Sequence, residues 1–421
     1  MIGKLWNRFT SNKTLLNGTL FSAFSFYNQG LSFLLLILLA NYILPADYGQ
    51  LSLYNTFLMF LGYIIALSSH GYESISFFKK SREGYVRDFS AILFISVFMS
   101  LFLSLLVLLL GNFVGEKISL TPLFMEVAIA TSFFIFIITM LTDYYRVNED
   151  LPKYGVLSCG SASINFILSI IMVVTMKMGW EGRVYANLAA SGFFAVIAIL
   201  IVLKNKLITL SFSKDDVKQA ACWGIPLIPH LAAIWIKQGG DRYIINSAYS
   251  LDDVGLFSFV LNLMNIIMIF GVAFNSTNSV SIYKILSNNE PAESKRDTLK
   301  MLSRKMVVIY FWGSVAIVLA VCSLVPILLP NYKAAVLYFP ILSIAGFLNC
   351  IYFVYCNYLF YYGCNKSIMK YTFLTALLHL LLSLICTPIS LYMTSVIYIV
   401  SQLFVVILVY RKSRSLLKER L

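Results

Sequence analysis

The chain has 421 residues, of which 59% are hydrophobic and only 12% are charged, with a formal net charge of +13. A soluble domain is about 45–50% apolar and about 25% charged, so this composition excludes an ordinary soluble domain. The apolar residues come in blocks of about twenty, the length at which a helix crosses the roughly 30 Å hydrocarbon layer of a bilayer. The sequence therefore predicts an all-α polytopic membrane protein.

The chain begins with MIGKLWNRFTSNK, in which apolar residues at positions 2, 5, 6 and 9 follow helical spacing and alternate with basic ones. This pattern predicts an amphipathic helix that lies on the cytoplasmic membrane surface as an anchor. The apolar block that follows is far longer than the core of a signal peptide and has no small-residue cleavage site. We therefore expect it to be retained as a span.

Hydropathy, flanking charges and Gly/Pro breaks predict about twelve transmembrane helices. They lie near 18–41, 50–69, 89–110, 122–142, 154–176, 184–203, 220–247, 252–275, 304–329, 335–361, 368–387 and 391–410. With the N-terminus placed in the cytoplasm, 26 of the 32 Lys and Arg residues fall on the inner side. This asymmetry predicts a multi-pass inner-membrane protein with both termini cytoplasmic. The positive charge then reflects topology and anionic lipids, and no nucleic-acid partner is expected.

A weak internal repeat relates the two halves of the chain. LPADYGQLSLYNTF (44–57) matches SLDDVGLFSFVLNL (250–263) at a shift of 206 residues, which aligns Asp47 with Asp253 and Gly49 with Gly255. This predicts two parallel six-helix lobes around a central cavity, related by an axis along the membrane normal. The lobes would be 1–213, with the amphipathic helix and six spans, and 214–421, with six spans and a basic cytoplasmic tail. A chance Asp-x-Gly turn is the alternative.

The stretch IWIKQGGDRYII (234–245) carries Lys237, Asp241 and Arg242 within the predicted outer half of the seventh span. A charge at the bilayer centre costs about 2.5–3.5 kcal/mol on insertion scales, so these side chains must face water, a partner or a cargo. Lys237 and Asp241 are spaced i, i+4 and can pair, which leaves Arg242 as excess positive charge. Gly239-Gly240 is expected to loosen or break the helix, as irregular backbone is tolerated where it lines a cavity.

The sequence gives no sign of a metal, a disulfide framework or a nucleotide. The seven cysteines are scattered without a C-x-x-C pair and are interpreted as small packing residues. His70, His230 and His379 lie far apart, so no metal site is expected. No G-x-x-x-x-G-K-[ST] loop occurs, so ATP hydrolysis is not indicated and no cofactor is expected.

Several stretches resemble the O-antigen and polysaccharide flippase family. They include ANYILPADYGQLS (40–52), GIPLIPHLAAIWIKQGGDRYII (224–245) and DDVGLFSFVLNL (252–263). The most specific part is the Gly-x-Pro-x-x-Pro stretch followed by Asp-Arg and then a Val-Gly-x-Phe-Ser turn, in the seventh and eighth spans. GKLWNRFTSNKT, ALSSHGYESISFFKK (66–80) and LLPNYKAAVLYFPIL (328–342) fit as well, so the resemblance extends over the whole chain. This family shares a superfamily with multidrug and toxin extrusion transporters and the peptidoglycan-precursor flippase.

The resemblance implies a flippase that moves an undecaprenyl-diphosphate-linked oligosaccharide from the cytoplasmic to the periplasmic leaflet. A polysaccharide polymerase and a chain-length regulator would be its protein partners. Arg242 and Lys237 are predicted to bind the diphosphate, since Arg offers a planar fork of donors, with Asp241 tuning them. The alternative is that the three residues form a structural salt bridge at the periplasmic edge.

Seven further residues are weaker candidates for the cavity. Arg146, with Asp143, either meets the diphosphate on the cytoplasmic side or anchors the fourth span. His230 either binds cargo or a proton, or packs structurally, and Glu126 is a coupling acid or an interfacial residue. Residues of the first span that interrupt an apolar run are predicted to face the cavity: Tyr27, Asn28 and Gln29.

Two other functions are compatible with a polytopic chain. A cation-coupled exporter of small amphipathic molecules would favour acidic cavity residues, whereas the embedded cluster here is net positive. A membrane glycosyltransferase or polymerase would need large outward loops or clustered acids, and the longest predicted outward segments have only about a dozen residues. The flippase is therefore the preferred prediction, and the protein is not expected to be an enzyme.

Overall fold

The computed structural model describes residues 13–420, and side chains from residue 20 onward. The amphipathic helix predicted near the start of the chain lies outside the described residues. Within residues 13–420 the chain consists of helices joined by short turns, with no strand. The predicted all-α class is confirmed.

The helices are numbered here in chain order. The first seven are α1 Lys13–Ala40, α2 Pro45–Ile64, α3 His70–Lys79, α4 Arg82–Ile118, α5 Pro122–Val147, α6 Leu151–Ile170 and α7 Gly179–Lys204. The remaining eight are α8 Lys214–Gly224, α9 Ile228–Trp235, α10 Asp241–Ala248, α11 Leu251–Ser287, α12 Ala292–Leu328, α13 Ala335–Tyr361, α14 Asn365–Cys386 and α15 Leu391–Arg420.

Eleven helical segments of residues 13–420 are long and apolar enough to cross a membrane. The second predicted span, 50–69, is not among them, because the polar residues of α2 lower its hydropathy and the helix already ends at Ile64. Many large apolar side chains on the spans are not covered by other parts of the protein. Leu108 and Leu109 of α4, for example, are 78% and 70% exposed. Apolar faces of this extent are stable against lipid and not against water.

The described chain divides into two compact units. The first comprises residues up to Ile43 and Leu53–Leu231, and the second comprises Leu44–Ser52 and Ala232–Leu421. In the first unit α5 packs against α4 and α7, and α1 packs against α6, around a core that includes Phe89, Ile92 and Leu141.

In the second unit α13 is the central helix and packs against α11, α12 and α15. Its buried face carries Phe339, Leu342, Cys350 and Val354, all at 0% exposure. These positions follow the helical period, so a single stripe of α13 supplies much of the core of this unit. The neighbouring helix α14 packs against α15.

The seventh predicted span, 220–247, is continuous in the chain but irregular in backbone. Pro226 lies in a 3₁₀ turn, Ile225–Leu227, between α8 and α9, and Pro229 is in the first turn of α9. A π-helical turn, Ile236–Gly240, then joins α9 to α10. The two prolines remove backbone donors and Gly239-Gly240 weakens helix propensity, so both interruptions follow from the local sequence.

The two glycines aligned by the internal repeat meet in the second unit. A Cβ on Gly255 would overlap the carbonyl oxygen of Pro45, and one on Gly49 would overlap that of Leu251. The backbones of α2 and α11 therefore cross at their first turns with no room for a side chain. This contact explains why residues 44–52 belong to the second unit.

Gly255→Ala is expected to lower the free energy of unfolding by more than about 3 kcal/mol, beyond the usual cost of overpacking, because the obstacle is backbone. Gly62→Ala, on α2 with nothing within 4 Å of the added Cβ, is the matched control. Thermal unfolding of the purified protein in detergent measures both. Equal midpoints for the two variants would contradict the close crossing of α2 and α11.

Candidate functional site

Lys237, Asp241 and Arg242 lie where the helix that contains them changes its pitch. Lys237 is inside the π-helical turn, whereas Asp241 and Arg242 open α10. A π-turn has i→i+5 hydrogen bonds and inserts additional backbone into the helix. The predicted ion pair between Lys237 and Asp241 is not formed, because the side chains are engaged by other helices: Asp241 by His379 and Lys237 by Gln402.

Asp241 instead pairs with His379 of α14. The Nε2 atom of His379 lies 2.8 Å from Oδ2 of Asp241, and the two side chains are 0% and 2% exposed. The other ring nitrogen, Nδ1, is 3.0 Å from Oγ of Ser401. Tyr398 packs edge-on against the imidazole, with ring centroids 4.8 Å apart. The carboxyl group is thus held by a partner 138 residues away in the chain.

The Ser401 hydroxyl has one hydrogen and two nearby acceptors. It can donate to the Tyr398 carbonyl at 3.2 Å, or to Nδ1 of His379. The direction of the hydrogen bond between Ser401 and Nδ1 therefore depends on which ring nitrogen of His379 carries the proton.

Lys237 is held by neutral groups. Its Nζ donates to Oε1 of Gln402 at 3.1 Å, and Nε2 of Gln402 donates to Oδ1 of Asn349 at 2.8 Å. The Tyr398 hydroxyl donates to the backbone carbonyl of Lys237 at 3.0 Å. Within residues 20–420 no carboxylate forms a salt bridge with this ammonium.

Arg242 is positioned by the helix that follows it. Its Nε donates to Oγ of Ser258 on α11 at 3.0 Å, and Nη1 donates to the carbonyl of Gln238. Because Asp241 is engaged by His379, the ammonium of Lys237 is left with neutral side-chain partners. A site of this kind can bind an anion.

In the first unit, the predicted residues of the first span contact α6. The hydroxyls of Tyr27 and Ser163 are 2.8 Å apart, and Nδ2 of Asn28 donates to Oγ of Ser158 at 2.8 Å. Gln29 is exposed. Tyr27 is also 47% exposed, so a hydroxyl-rich strip of α1 and α6 retains accessible surface. Whether this strip faces a cavity stays a prediction.

Three other predicted residues of this unit have defined partners. Arg146 forms an i, i+3 salt bridge with Asp143 at 2.9 Å and remains half exposed. Oε2 of Glu126 accepts from the Ser104 hydroxyl at 2.7 Å. Nδ1 of His230 is buried without a hydrogen bond from the described residues. The roles predicted for them stay predictions.

Two polar residues that the sequence did not single out as site residues are also notable. Glu73 is completely buried, accepts a hydrogen bond of 2.7 Å from the Tyr85 hydroxyl, and has its pKa raised well above the usual range by burial. Arg183 was left outside the predicted sixth span, 184–203, but lies within α7. Its hydrogen-bond partners are the Asn165 amide and the Ser169 hydroxyl, both on α6.

No group of three or more His, Cys, Asp or Glu side chains within the described part of the chain is arranged to hold a metal ion. The seven cysteines are all free thiols. The polar site of the second unit consists instead of the donors of Lys237 and Arg242 and the buried pair of Asp241 and His379.

Residues 15–280 match a family model described as polysaccharide biosynthesis protein. The match covers more than half of the chain. The chain belongs to this polysaccharide biosynthesis protein family. A stretch of 160 residues, 37% of the chain, is also 27% identical to a protein of the Lsg locus of Haemophilus influenzae. That alignment spans only 39% of the relative's length.

Two solved membrane proteins have a similar fold. An inward-facing multidrug resistance transporter of the MATE family has a TM-score of 0.74 at 11% identity, covering 93% of this chain and 95% of that one. The lipid II flippase MurJ in an inward closed conformation also has a TM-score of 0.74, at 14% identity, covering 94% and 87%. This member of the polysaccharide biosynthesis family therefore has the fold of MATE and MurJ transporters and is a multi-pass membrane protein.

Proposed function

We propose that the protein is a flippase that moves an undecaprenyl-diphosphate-linked oligosaccharide, such as an O-antigen repeat unit, across the bacterial inner membrane. The direction is from the cytoplasmic to the periplasmic leaflet, by alternating access. Membership of the polysaccharide biosynthesis family supports the sugar part of this proposal. Similarity of fold to a protein named as a lipid II flippase supports the lipid part.

The observation that carries the proposal is the ammonium of Lys237, which is held by neutral groups within a membrane span. A lipid-linked diphosphate brings anionic oxygens into a low-dielectric layer, where they require cationic donors. Lys237 is bound by the neutral amide of Gln402, and its neighbour Asp241 is occupied by His379. The charge of Lys237 is therefore left to attract an anionic substrate, with Arg242 next to Asp241 as a second proposed donor.

The oligosaccharide part needs hydrogen-bonding groups that do not carry charge. Tyr27 and Asn28 on α1, with Ser158 and Ser163 on α6, provide such groups in the first unit. Hydroxyl and amide groups can exchange partners with sugar hydroxyls at little net free energy. We assign the strip formed by these four residues to the sugar path.

The placement in the cell is part of the same proposal. The concentration of Lys and Arg in alternate predicted loops supports cytoplasmic termini. A product delivered to the periplasmic leaflet would be consumed there by a polysaccharide polymerase with its chain-length regulator. A cation-coupled drug exporter is less well supported, because the buried Asp241 is already engaged by His379.

Deletion of the gene is expected to stop polysaccharide export and to cause lipid-linked oligosaccharides to accumulate in the membrane. The lipid extract of the deletion strain would be analysed by mass spectrometry, with a plasmid-borne copy as the complemented control. The accumulated species also identifies the sugar. A deletion strain that exports no polysaccharide and accumulates no lipid-linked intermediate would exclude a flippase.

A further inference from the structure

A second cationic cluster lies in the first unit, between α6 and α7. Nη1 of Arg183 donates to Oδ1 of Asn165 at 2.7 Å and to Oγ of Ser169 at 3.2 Å. Nδ2 of Asn165 in turn donates to Oδ1 of Asn187 at 2.6 Å. We call Arg183, Asn165, Ser169 and Asn187 the Arg183 cluster. Both helices are candidate membrane spans.

The Arg183 cluster contains no acid. None of the salt bridges among residues 20–420 involves Arg183, and its hydrogen-bond partners are an amide and a hydroxyl. A cation within a membrane span is costly when no carboxylate pairs with it, so a purely structural role would be filled at lower free-energy cost by a neutral residue. The cation is therefore better explained by an anion that it binds.

Part of the guanidinium fork is available to a ligand. Arg183 has five N–H donors, and only those on Nη1 are used by described residues. Arg183 and Asn187 are both only partly buried, and no described residue accepts a hydrogen bond from Nε or Nη2 of Arg183. An edge of a guanidinium with two adjacent nitrogens matches two oxygens of a phosphate group.

The direction of the side chain also favours a ligand within the membrane. Arg183 is the fifth residue of α7, and an arginine near a helix end usually extends toward the interface. Here it reaches toward Asn165, ten residues before the span ends at Thr175, a distance of about 15 Å along the helix axis. The cluster is also adjacent to a π-helical turn, Ile171–Thr175, a feature frequent at functional sites.

We propose that the Arg183 cluster is a second diphosphate-binding site, located in the first unit and independent of Lys237 and Arg242. The proposal rests on the proposed function for the identity of the cargo, since the chemistry recognised is that of a diphosphate oxyanion. The oxyanion could be that of an isoprenyl diphosphate or of free pyrophosphate. If it is that of an isoprenyl diphosphate, the Arg183 cluster gives the lipid-linked cargo a binding site in the first unit, in addition to the one proposed at Lys237 and Arg242 in the second.

The test measures binding to the purified full chain in detergent, by the ligand-induced shift of thermal unfolding. The probes are farnesyl diphosphate, inorganic pyrophosphate, farnesol and sodium chloride, in the background Lys237→Ala/Arg242→Ala. Arg183→Gln should weaken binding of farnesyl diphosphate by about tenfold or more, as expected for lost charge-assisted hydrogen bonds. Lys177→Gln, which removes an exposed cation near the same helix ends, should leave binding within about twofold.

Arg183→Lys keeps the charge but loses the planar guanidinium, so an affinity for farnesyl diphosphate between those of wild type and Arg183→Gln is expected. If Arg183→Gln does not fold, the binding measurement is made on Arg183→Lys. Unchanged affinity in either variant would overturn the proposal, as would equal stabilisation by chloride or farnesol. Tighter binding of farnesyl diphosphate than of pyrophosphate indicates the lipid-linked source, and the reverse indicates the free anion. If the probes do not bind but the deletion strain accumulates lipid-linked intermediates, only the Arg183 site is excluded. If farnesyl diphosphate binds through Arg183 but the deletion strain accumulates no such intermediates, only the flippase function is excluded.

Discussion

Replacing His379 with leucine is expected to destabilise the protein by about 3–5 kcal/mol, because Asp241 is then left buried without its partner. The two side chains are at most 2% exposed, so water cannot replace the imidazole. The reverse variant, Asp241→Leu, should cost less, since an imidazole can be buried in its neutral form. The midpoint of thermal unfolding in detergent and the amount of protein in the membrane measure both effects.

A double variant measures the interaction free energy between Asp241 and His379 apart from the contacts that each makes with other residues. Asp241→Leu/His379→Leu should be less destabilised than the sum of the single variants, because leucine fits an apolar environment and no charge is orphaned. Asp150→Asn is the control, as it breaks an exposed salt bridge to Lys153 and should cost less than about 1 kcal/mol. Additive costs for Asp241 and His379 would show that the two do not interact.

Lys237→Ala and Arg242→Ala are each expected to reduce polysaccharide export by about tenfold or more. The reason is the loss of charge-assisted hydrogen bonds to the diphosphate, at roughly 1.5–3 kcal/mol each. Lys333→Ala provides the matched control, because Lys333 is an exposed cation of the same unit. Export would be measured by immunoblotting of surface polysaccharide at equal protein levels.

The conservative variants add a test of geometry. Arg242→Lys keeps the charge but loses the planar fork and its bond to Ser258, so partial export is expected. Lys237→Gln keeps hydrogen-bonding capacity to Gln402 and should lose export nearly as fully as Lys237→Ala. Full export by Lys237→Gln would indicate that Lys237 has only a structural role, its hydrogen bond to Gln402 of α15.

The fold class could be predicted from sequence because hydropathy is a local property. A run of about twenty apolar residues spans a membrane whatever its tertiary contacts are. The irregular seventh span was also predictable, since Pro226, Pro229 and Gly239-Gly240 act on their own backbone. The second span was less predictable, because the first turn of α2 crosses the backbone of α11 at Gly49 and Gly255, a contact between residues far apart in the chain.

Pairing of polar side chains could not be predicted in the same way. The i, i+4 rule assigned Lys237 to Asp241, but α14 supplies His379 to Asp241 from 138 residues away and α15 supplies Gln402 to Lys237. Arg183 was missed for a related reason. A charge at the end of an apolar run is assigned to a loop by hydropathy, and only the register of α6 against α7 brings it to Asn165.

The central claim is tested most directly by reconstituting the purified chain in liposomes that contain a lipid-linked oligosaccharide. A glycosidase added outside reports the fraction of substrate in the outer leaflet. Vesicles with the wild-type protein are predicted to expose nearly all of the substrate, whereas protein-free vesicles and vesicles with Lys237→Ala/Arg242→Ala should expose only the outer-leaflet share. Equal exposure in wild-type and protein-free vesicles would contradict the assignment as a flippase.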